Sequence, residues 1–299
     1  MKILLLGANG QVGWELQRAL APLGQLVICD RRSADLENPQ ALDELVVREQ
    51  PAVIVNAAAY TAVDKAESDA VRARKVNAES VAVLATTAHR LGVWLVHYST
   101  DYVFDGDKPA AYVEDDPTAP LNVYGQTKLD GEQAIRASGC RHLILRTSWV
   151  YAVRGGNFAK TILRLAVDRA ELRVVADQVG VPTSAELIAD VTALLLQRIA
   201  FDAALARVAS GTYHLVASGA TSWHGYAQFV IAEAVRLGMP LRATPESVHP
   251  ITSAKYPVPA RRPVNSRLDN QKLQQTFGLQ LPAWEFHVKR MLIELNDWD

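Results

Sequence analysis

Short apolar runs alternate with amphipathic stretches through the first half of the chain. Lys2–Gly7 (KILLLG), Gln25–Asp30 (QLVICD), Ala52–Ala58 (AVIVNAA), Trp94–Ser99 (WLVHYS) and His142–Ser148 (HLILRTS) are continuous hydrophobic segments of strand length. Between them, Val12–Leu20, Pro39–Arg48, a long stretch from about Ala70 to Leu91, and a segment opening near Tyr124 carry helical spacing. Strands that are apolar on both sides and separated by helices predict a parallel sheet covered on both faces. The fold class expected is α/β, a doubly wound Rossmann-type sheet.

The pattern changes after residue 148. Phe158–Asp168, Ser184–Ile199, Ser222–Leu237 and Trp284–Leu295 read as helices, and Leu172–Asp177 and Tyr213–Ser218 as strands. Prolines 240, 245, 250, 257, 259 and 263 then predict an irregular, ligand-shaped region. The expected division is a dinucleotide-binding domain of residues 1–148 plus about 181–217. A smaller α/β substrate lobe takes about 149–180 plus 218–299, interleaved with the first domain.

Three glycines punctuate the first strand–helix junction, as Gly7-Ala-Asn-Gly10-Gln11-Val12-Gly13. Such a turn lets a pyrophosphate approach the backbone at a helix N-terminus, where free N–H groups and the positive dipole end favour anions. The spacing G-x-x-G-x-x-G differs from the commonest dinucleotide fingerprint, but its strand–turn–helix setting supports the same chemistry. Asp30, ending the second strand, suits the ribose hydroxyls of NAD, whereas Arg31 and Arg32 suit a 2′-phosphate. Together they read as tolerance of both NADH and NADPH. Asp35 and Leu36 are positioned to cover the adenine, and Ala59, Tyr60 and Thr61 follow small residues that let the cofactor lie close to the third strand.

Tyr124 and Lys128 lie one helical turn apart, so an ammonium can act on a phenol that otherwise titrates near pH 10. Thr100 ends the fourth strand, on the side where doubly wound sheets bind ligands. A hydroxyl there can bond a substrate carbonyl while Tyr124 supplies a proton. His97, on the same apolar strand, reads as a satisfied core residue.

The balance of 31 Lys and Arg against 32 Asp and Glu leaves a charge of −1, which provides no electrostatic footprint for nucleic acid or an anionic membrane. Two cysteines, Cys29 and Cys140, make neither a disulfide framework nor a zinc site. With no apolar run of membrane-spanning length and no signal-like N-terminus, a cytoplasmic location is expected.

GANGQVGWELQ, NAAAYTAVDKAE, VHYSTDYVFDG, PLNVYGQTKLDGE, LRTSWVYA and ARRPVNSRL resemble the dTDP-4-dehydrorhamnose reductases, a family of extended short-chain dehydrogenases/reductases, nearly end to end. The resemblance implies NAD(P)H-dependent reduction of the C4 ketone of dTDP-4-dehydro-β-L-rhamnose to dTDP-L-rhamnose, the last step of that sugar's synthesis. It implies Tyr124 as proton donor, Lys128 as its partner and holder of the nicotinamide ribose, and Thr100 as the group polarising the ketone. Asp101 and Trp149 match substrate contacts; Gly10–Val12, Asp30, Asp35-Leu36 and Ala59–Thr61 match cofactor contacts. Some family members further imply Mg²⁺ at a homodimer interface, held by glutamates matching Glu15, Glu186 and Glu294. In the proline-rich region Arg261, Arg262, Asn265 and Arg267 suit a diphosphate or thymine, although Arg261 stands where the family text has Ser. A nucleotide-sugar epimerase or dehydratase would reuse Tyr124 and Lys128, but Tyr102 replaces the glutamate that dehydratases carry. A regulatory subunit binding NAD(P) without turnover is the other alternative, and intact Thr100, Tyr124 and Lys128 argue against it.

Overall fold

A computed structural model describes residues 1–297. β1 (Lys2–Leu6), β2 (Gln25–Cys29), β3 (Val53–Asn56), β4 (Trp94–Thr100), β5 (Arg141–Thr147) and the strand Gly211–His214 form one six-stranded sheet. The order is β2-β1-β3-β4-β5 and then Gly211–His214, every pair parallel. The order in which successive strands are added reverses between β1 and β3, which makes the gap between their carboxyl ends the topological switch point where such sheets bind ligands.

Side chains alternate across each strand, and the two resulting sets feed two cores. Leu4, Leu6, Ile54, Leu95 and Ile144 pack with Leu42, Leu45, Leu84 and Ile135 from the helices Pro39–Glu49, Ser80–Leu91 and Val123–Ser138. Ile3, Leu5, Val53, Val55 and Val96 pack with Leu16, Leu20, Leu187 and Leu195 from Gln11–Leu20 and Ala185–Phe201. The second core continues without a break into Leu172, Val174, Tyr226 and Val248 of the later chain.

That later chain is pieced together from small sheets. Val150–Tyr151 pairs with Thr183–Ser184, Leu172–Val175 with Val248–Ile251, and Val179–Gly180 with Thr221–Ser222. The proline-rich region is therefore less irregular than its composition suggests. Pro250 is tolerated inside a strand because a two-stranded ladder leaves one edge unpaired. The strand expected at Tyr213–Ser218 is shorter, at Gly211–His214. The long helix expected from Ala70 to Leu91 is broken by a π turn over Lys75–Glu79. Among the described residues no helix is long and apolar enough to cross a membrane.

One buried ion pair ties the helix Val123–Ser138 to β5. Arg146 Nε and Nη2 donate to Glu132 Oε1 and Oε2 at 2.8 and 2.7 Å, and both side chains are shut off from water. Burial alone would raise the Glu132 carboxyl, yet the hydrogen bonds and charge of Arg146 hold it below the usual range. A carboxyl depressed in the folded state stabilises above its unfolded value and loses that contribution as pH falls through the folded one. Arg146→Met leaves the buried carboxylate with only Arg136, at 3.0 Å, and is expected to cost about 3 kcal/mol at neutral pH. Urea unfolding measures this; a loss near zero would show that the pair is dispensable.

Candidate active site

The glycine turn runs from β1 into the helix Gln11–Leu20. Gly7 adopts φ +80°, and a Cβ on Gly13 would lie 2.1 Å from the Gly7 carbonyl oxygen, so helix and strand approach more closely than side chains permit. Gly10 is the N-cap and no side chain caps the helix, leaving its first N–H groups turned to the crevice without a side-chain acceptor. Asp30 folds onto its own turn: Oδ1 accepts from the backbone N–H of Arg32 and Ser33 at 2.9 and 3.1 Å, and Oδ2 from Asn9 at 3.2 Å. The Ser33 backbone bond leads the set that holds its carboxyl below the usual range. Asp35 accepts from the Glu37 N–H at 3.0 Å, while Leu36 is buried. Glu37 engages Arg31, and Arg72 at 2.7 Å, so two of the arginines near Asp30 are already paired, whereas Arg32 lines the crevice without an acidic partner among the described residues.

The π turn positions the other wall. Asn77 within it accepts from Tyr60 N–H at 2.9 Å, donates to Tyr60 O at 3.1 Å and donates to Thr127 Oγ1 at 3.2 Å. This ties the Ala59–Thr61 loop to the helix of Tyr124. π bulges recur at functional sites because they re-aim one side chain out of the helical register.

Asn122 caps that helix through Gly125 N–H at 2.8 Å, and a Cβ on Gly125 would sit 2.2 Å from Tyr102 O. The helix can therefore lie directly on the Asp101–Val103 turn, where Tyr102 meets Tyr124 edge to face at 5.8 Å. Thr100 Oγ1 accepts from Tyr102 N–H at 3.2 Å and donates to Asp101 Oδ1 at 3.1 Å. Asp101 Oδ2 is buried with no partner, and burial pushes its carboxyl up to about 6. Burial likewise pushes the Tyr124 phenol up to about 12, against the Thr100 hydrogen bond, and lowers Lys128 to about 8. Lys128 does not bond Tyr124; its Nζ donates to Tyr98 O at 2.6 Å and lies 3.1 Å from His97 Nε2.

Trp149, just past β5, is held at φ +47°, a conformation that costs a bulky side chain energy. Its ring stacks on Trp223 at 3.4 Å, and Phe158 lies against the far partner at 4.5 Å. From the proline-rich region Arg262 reaches the crevice and pairs with Asp64 at 3.0 Å. Asn265 and Arg267 instead bond backbone carbonyls of Lys108, Pro109 and Ala110, and Arg261 is exposed, with its carbonyl accepting from Asn122 at 2.8 Å.

One crevice of about 1260 Å³ is lined by Gly7, Gly10, Gln11, Val12, Asp30, Asp35, Leu36, Ala59, Tyr60, Thr61, Thr100, Asp101, Tyr124, Lys128 and Trp149. Gly13 packs behind the turn. Trp223, Phe158, Asn157, Glu37 and Arg72 also line the crevice and were not expected from sequence, since no local motif marks them. Glu15, Glu186 and Glu294 lie elsewhere, around a separate pocket of about 300 Å³. Glu186 gives both oxygens to Arg290, at 2.9 and 3.2 Å, and Glu15 is 3.5 Å from Arg18. Among the described residues no group of three or more His, Cys, Asp or Glu is arranged to hold a metal ion.

The family model of the RmlD substrate binding domain matches residues 1–296. The chain is 54% identical to the dTDP-4-dehydrorhamnose reductase of Escherichia coli (strain K12), covering 99% of this chain and 98% of that one. It is 52% identical to the Burkholderia thailandensis enzyme of the same name, covering 96% and 97%. Among solved structures, a dTDP-4-dehydrorhamnose reductase from Clostridium acetobutylicum superposes with a TM-score of 0.88 at 37% identity, covering 99% of each chain. The Bacillus anthracis enzyme in complex with NADP superposes with a TM-score of 0.87 at 33% identity, covering 98% and 99%.

Asp101 yields a test of the site's electrostatics. Its folded-state value is raised, so its contribution to stability is complete below the unfolded value and is lost as pH rises through about 6. Asp101→Asn should therefore be more stable than wild type at pH 8, by on the order of 2 kcal/mol, with the gain vanishing near pH 4. Urea unfolding at the two pH values checks this, and an equal gain at both would refute the buried-charge account.

Proposed function

The chain belongs to the RmlD substrate binding domain family, the dTDP-4-dehydrorhamnose reductases, and from that premise we propose how its own residues carry the reaction. The reaction is NAD(P)H-dependent reduction of the C4 ketone of dTDP-4-dehydro-β-L-rhamnose to dTDP-β-L-rhamnose. The observation that carries the mechanism is the meeting of Thr100, Asp101, Tyr124 and Lys128 with the glycine turn in one crevice.

The residues present fit a nicotinamide dinucleotide. The helix at Gln11 has N–H groups that no side chain caps, which is what a pyrophosphate requires. Gly10, Gln11 and Val12 would hold the phosphates, Asp30 with Asp35 and Leu36 the adenosine end, Ala59–Thr61 the facing wall, and Lys128 the nicotinamide ribose. The bound NADP of the Bacillus anthracis relative supports this assignment. Held by these residues, a reduced nicotinamide would supply the hydride for C4.

Thr100 turns its hydroxyl from Asp101 to the ketone oxygen and stabilises the charge that grows there. Tyr124, with its phenol pushed up to about 12, keeps a proton at Oη at neutral pH and delivers it to that oxygen. Lys128, charged below about pH 8, sits one turn along the helix and favours the phenolate left behind. Asp101 holds the Thr100 hydroxyl until the substrate arrives. Trp149, held in its strained turn by the Trp223 stack, offers a flat apolar face to the deoxysugar. Residues 149–180 and 218–299 act as the substrate lobe. The two cysteines are free and buried, in keeping with a reducing cytoplasm.

The pocket of Glu15, Glu186 and Glu294 lies apart from the crevice, so no step of the proposed reaction draws on magnesium. One chain's residues do not fit the cation, because Arg290 already claims both oxygens of Glu186. Any Mg²⁺ role would lie between two copies of the chain and would be structural.

Two measurements test the proposal. Wild type should oxidise NADPH when given enzymatically prepared dTDP-4-dehydrorhamnose, and Tyr124→Phe should lower kcat by at least about 100-fold while NADPH binding is retained. Silence from wild type, or a fully active Tyr124→Phe, would remove the mechanism. Glu37→Gln releases Arg31 and Arg72 to meet a 2′-phosphate, so kcat/KM for NADPH relative to NADH should rise by roughly 5-fold, as expected for one charge-assisted bond. An unchanged ratio would show that Glu37 does not hold the dual cofactor preference.

A further inference from the structure

His97 does more than fill the core. Its Nδ1 lies 3.2 Å from Asn56 Nδ2 and its Nε2 3.1 Å from Lys128 Nζ. Asn56 and His97 are register partners across β3 and β4, and all three residues are at most 2% exposed, so no bulk water can adjust the line.

Hydrogen counting decides the tautomer. Asn56 Oδ1 accepts from the Ala58 N–H at 3.2 Å, which only an oxygen can do, so its amide NH₂ faces His97. His97 Nδ1 must then be the acceptor, and Nε2 carries the hydrogen and points it at Lys128. An ammonium has no lone pair to receive it. A neutral amine has one lone pair and two hydrogens, so it accepts from His97 and donates to Tyr98 O. Charging Lys128 sets N–H against N–H, unless His97 moves its hydrogen to Nδ1 and Asn56 turns its NH₂ against the Ala58 N–H. Either exit leaves a buried donor unpaired, which is costly.

We infer that His97 is a positioning residue for Lys128: with its tautomer fixed by Asn56, it donates to the uncharged amine and opposes its protonation. The inference rests on the mechanism above, in which Lys128 must be charged beside Tyr124. The other groups facing Lys128 are Tyr124 and Glu132 on its own helix and Tyr98 on β4; Glu132 favours the charged form, but is itself bound by Arg146 and Arg136. Among the described residues Lys128 has no ion-pair partner of its own. Burial is the main influence lowering Lys128, and burial with the help of Lys128 holds His97 well below its ordinary value, so the imidazole stays neutral and keeps a single ring hydrogen.

The test is the basic limb of the pH profile, read both as kcat/KM for NADPH oxidation and as NADPH affinity by nicotinamide fluorescence. The affinity measurement needs no turnover, so it judges this inference even if the proposed reaction fails. In His97→Leu the limb should move to higher pH by about one pH unit, the effect of one lost hydrogen bond. Asn56→Leu keeps His97 but frees it to accept from the ammonium, and should move the limb the same way. It decides alone if His97→Leu does not fold, as judged by circular dichroism. A limb that stays in place or moves to lower pH in a folded variant overturns the inference, because a His97 that accepts from the ammonium would produce the opposite shift.

Discussion

Burying an amine and a phenol one turn apart on the same helix is the constraint on which the crevice depends. Desolvation drives both groups toward their neutral forms, raising Tyr124 and lowering Lys128. The protein accepts that cost for the amine because the surrounding backbone and side chains complete its hydrogen bonds through Tyr98 O and His97. Those partners both stand at the carboxyl end of β4. The helix must therefore lie flat against that end, which Gly125 permits by admitting Tyr102 O where a side chain would clash. The Glu132–Arg146 pair then fixes the helix to β5 one turn further on.

Much of this was legible in the sequence. The β-branched and leucine-rich runs marked the strands because a sheet covered on both faces needs apolar residues at every position, and the two cores divide those residues by alternate position. The glycine turn, Thr100 and the Tyr124–Lys128 spacing were legible because each is a local device whose geometry follows from a few adjacent residues. Their convergence followed from topology alone, since ligands of such sheets lie beyond the strand ends.

What stayed hidden depends on contacts between distant segments. Trp223 is separated from Trp149 by an entire helical excursion, and no periodicity announces that their rings stack. Arg31 read as a free cation near a phosphate, because its partner Glu37 and the competing Arg72 meet only after the loop and the helix Ala70–Arg74 close on each other. Asn265 and Arg267 looked like ligand groups for the same reason; in the fold they serve the Lys108–Ala110 backbone. The three glutamates do share a pocket, but sequence could not show that Arg18 and Arg290 share it too.

The chemistry separating a reductase from its relatives on this fold turns on which groups surround C4, and here charge is scarce. A dehydratase-type site needs a carboxylate beside Thr100-Asp101 to handle a second proton. Here Tyr102 takes that position, packed edge to face on Tyr124. The remaining acid, Asp101, is raised toward 6 and bonded to Thr100, so it orients a hydroxyl better than it abstracts a proton. Ketone reduction requires a single protonation, and under the proposed mechanism Lys128, with His97 behind it, is the group whose charge governs how readily the phenol lets its proton go.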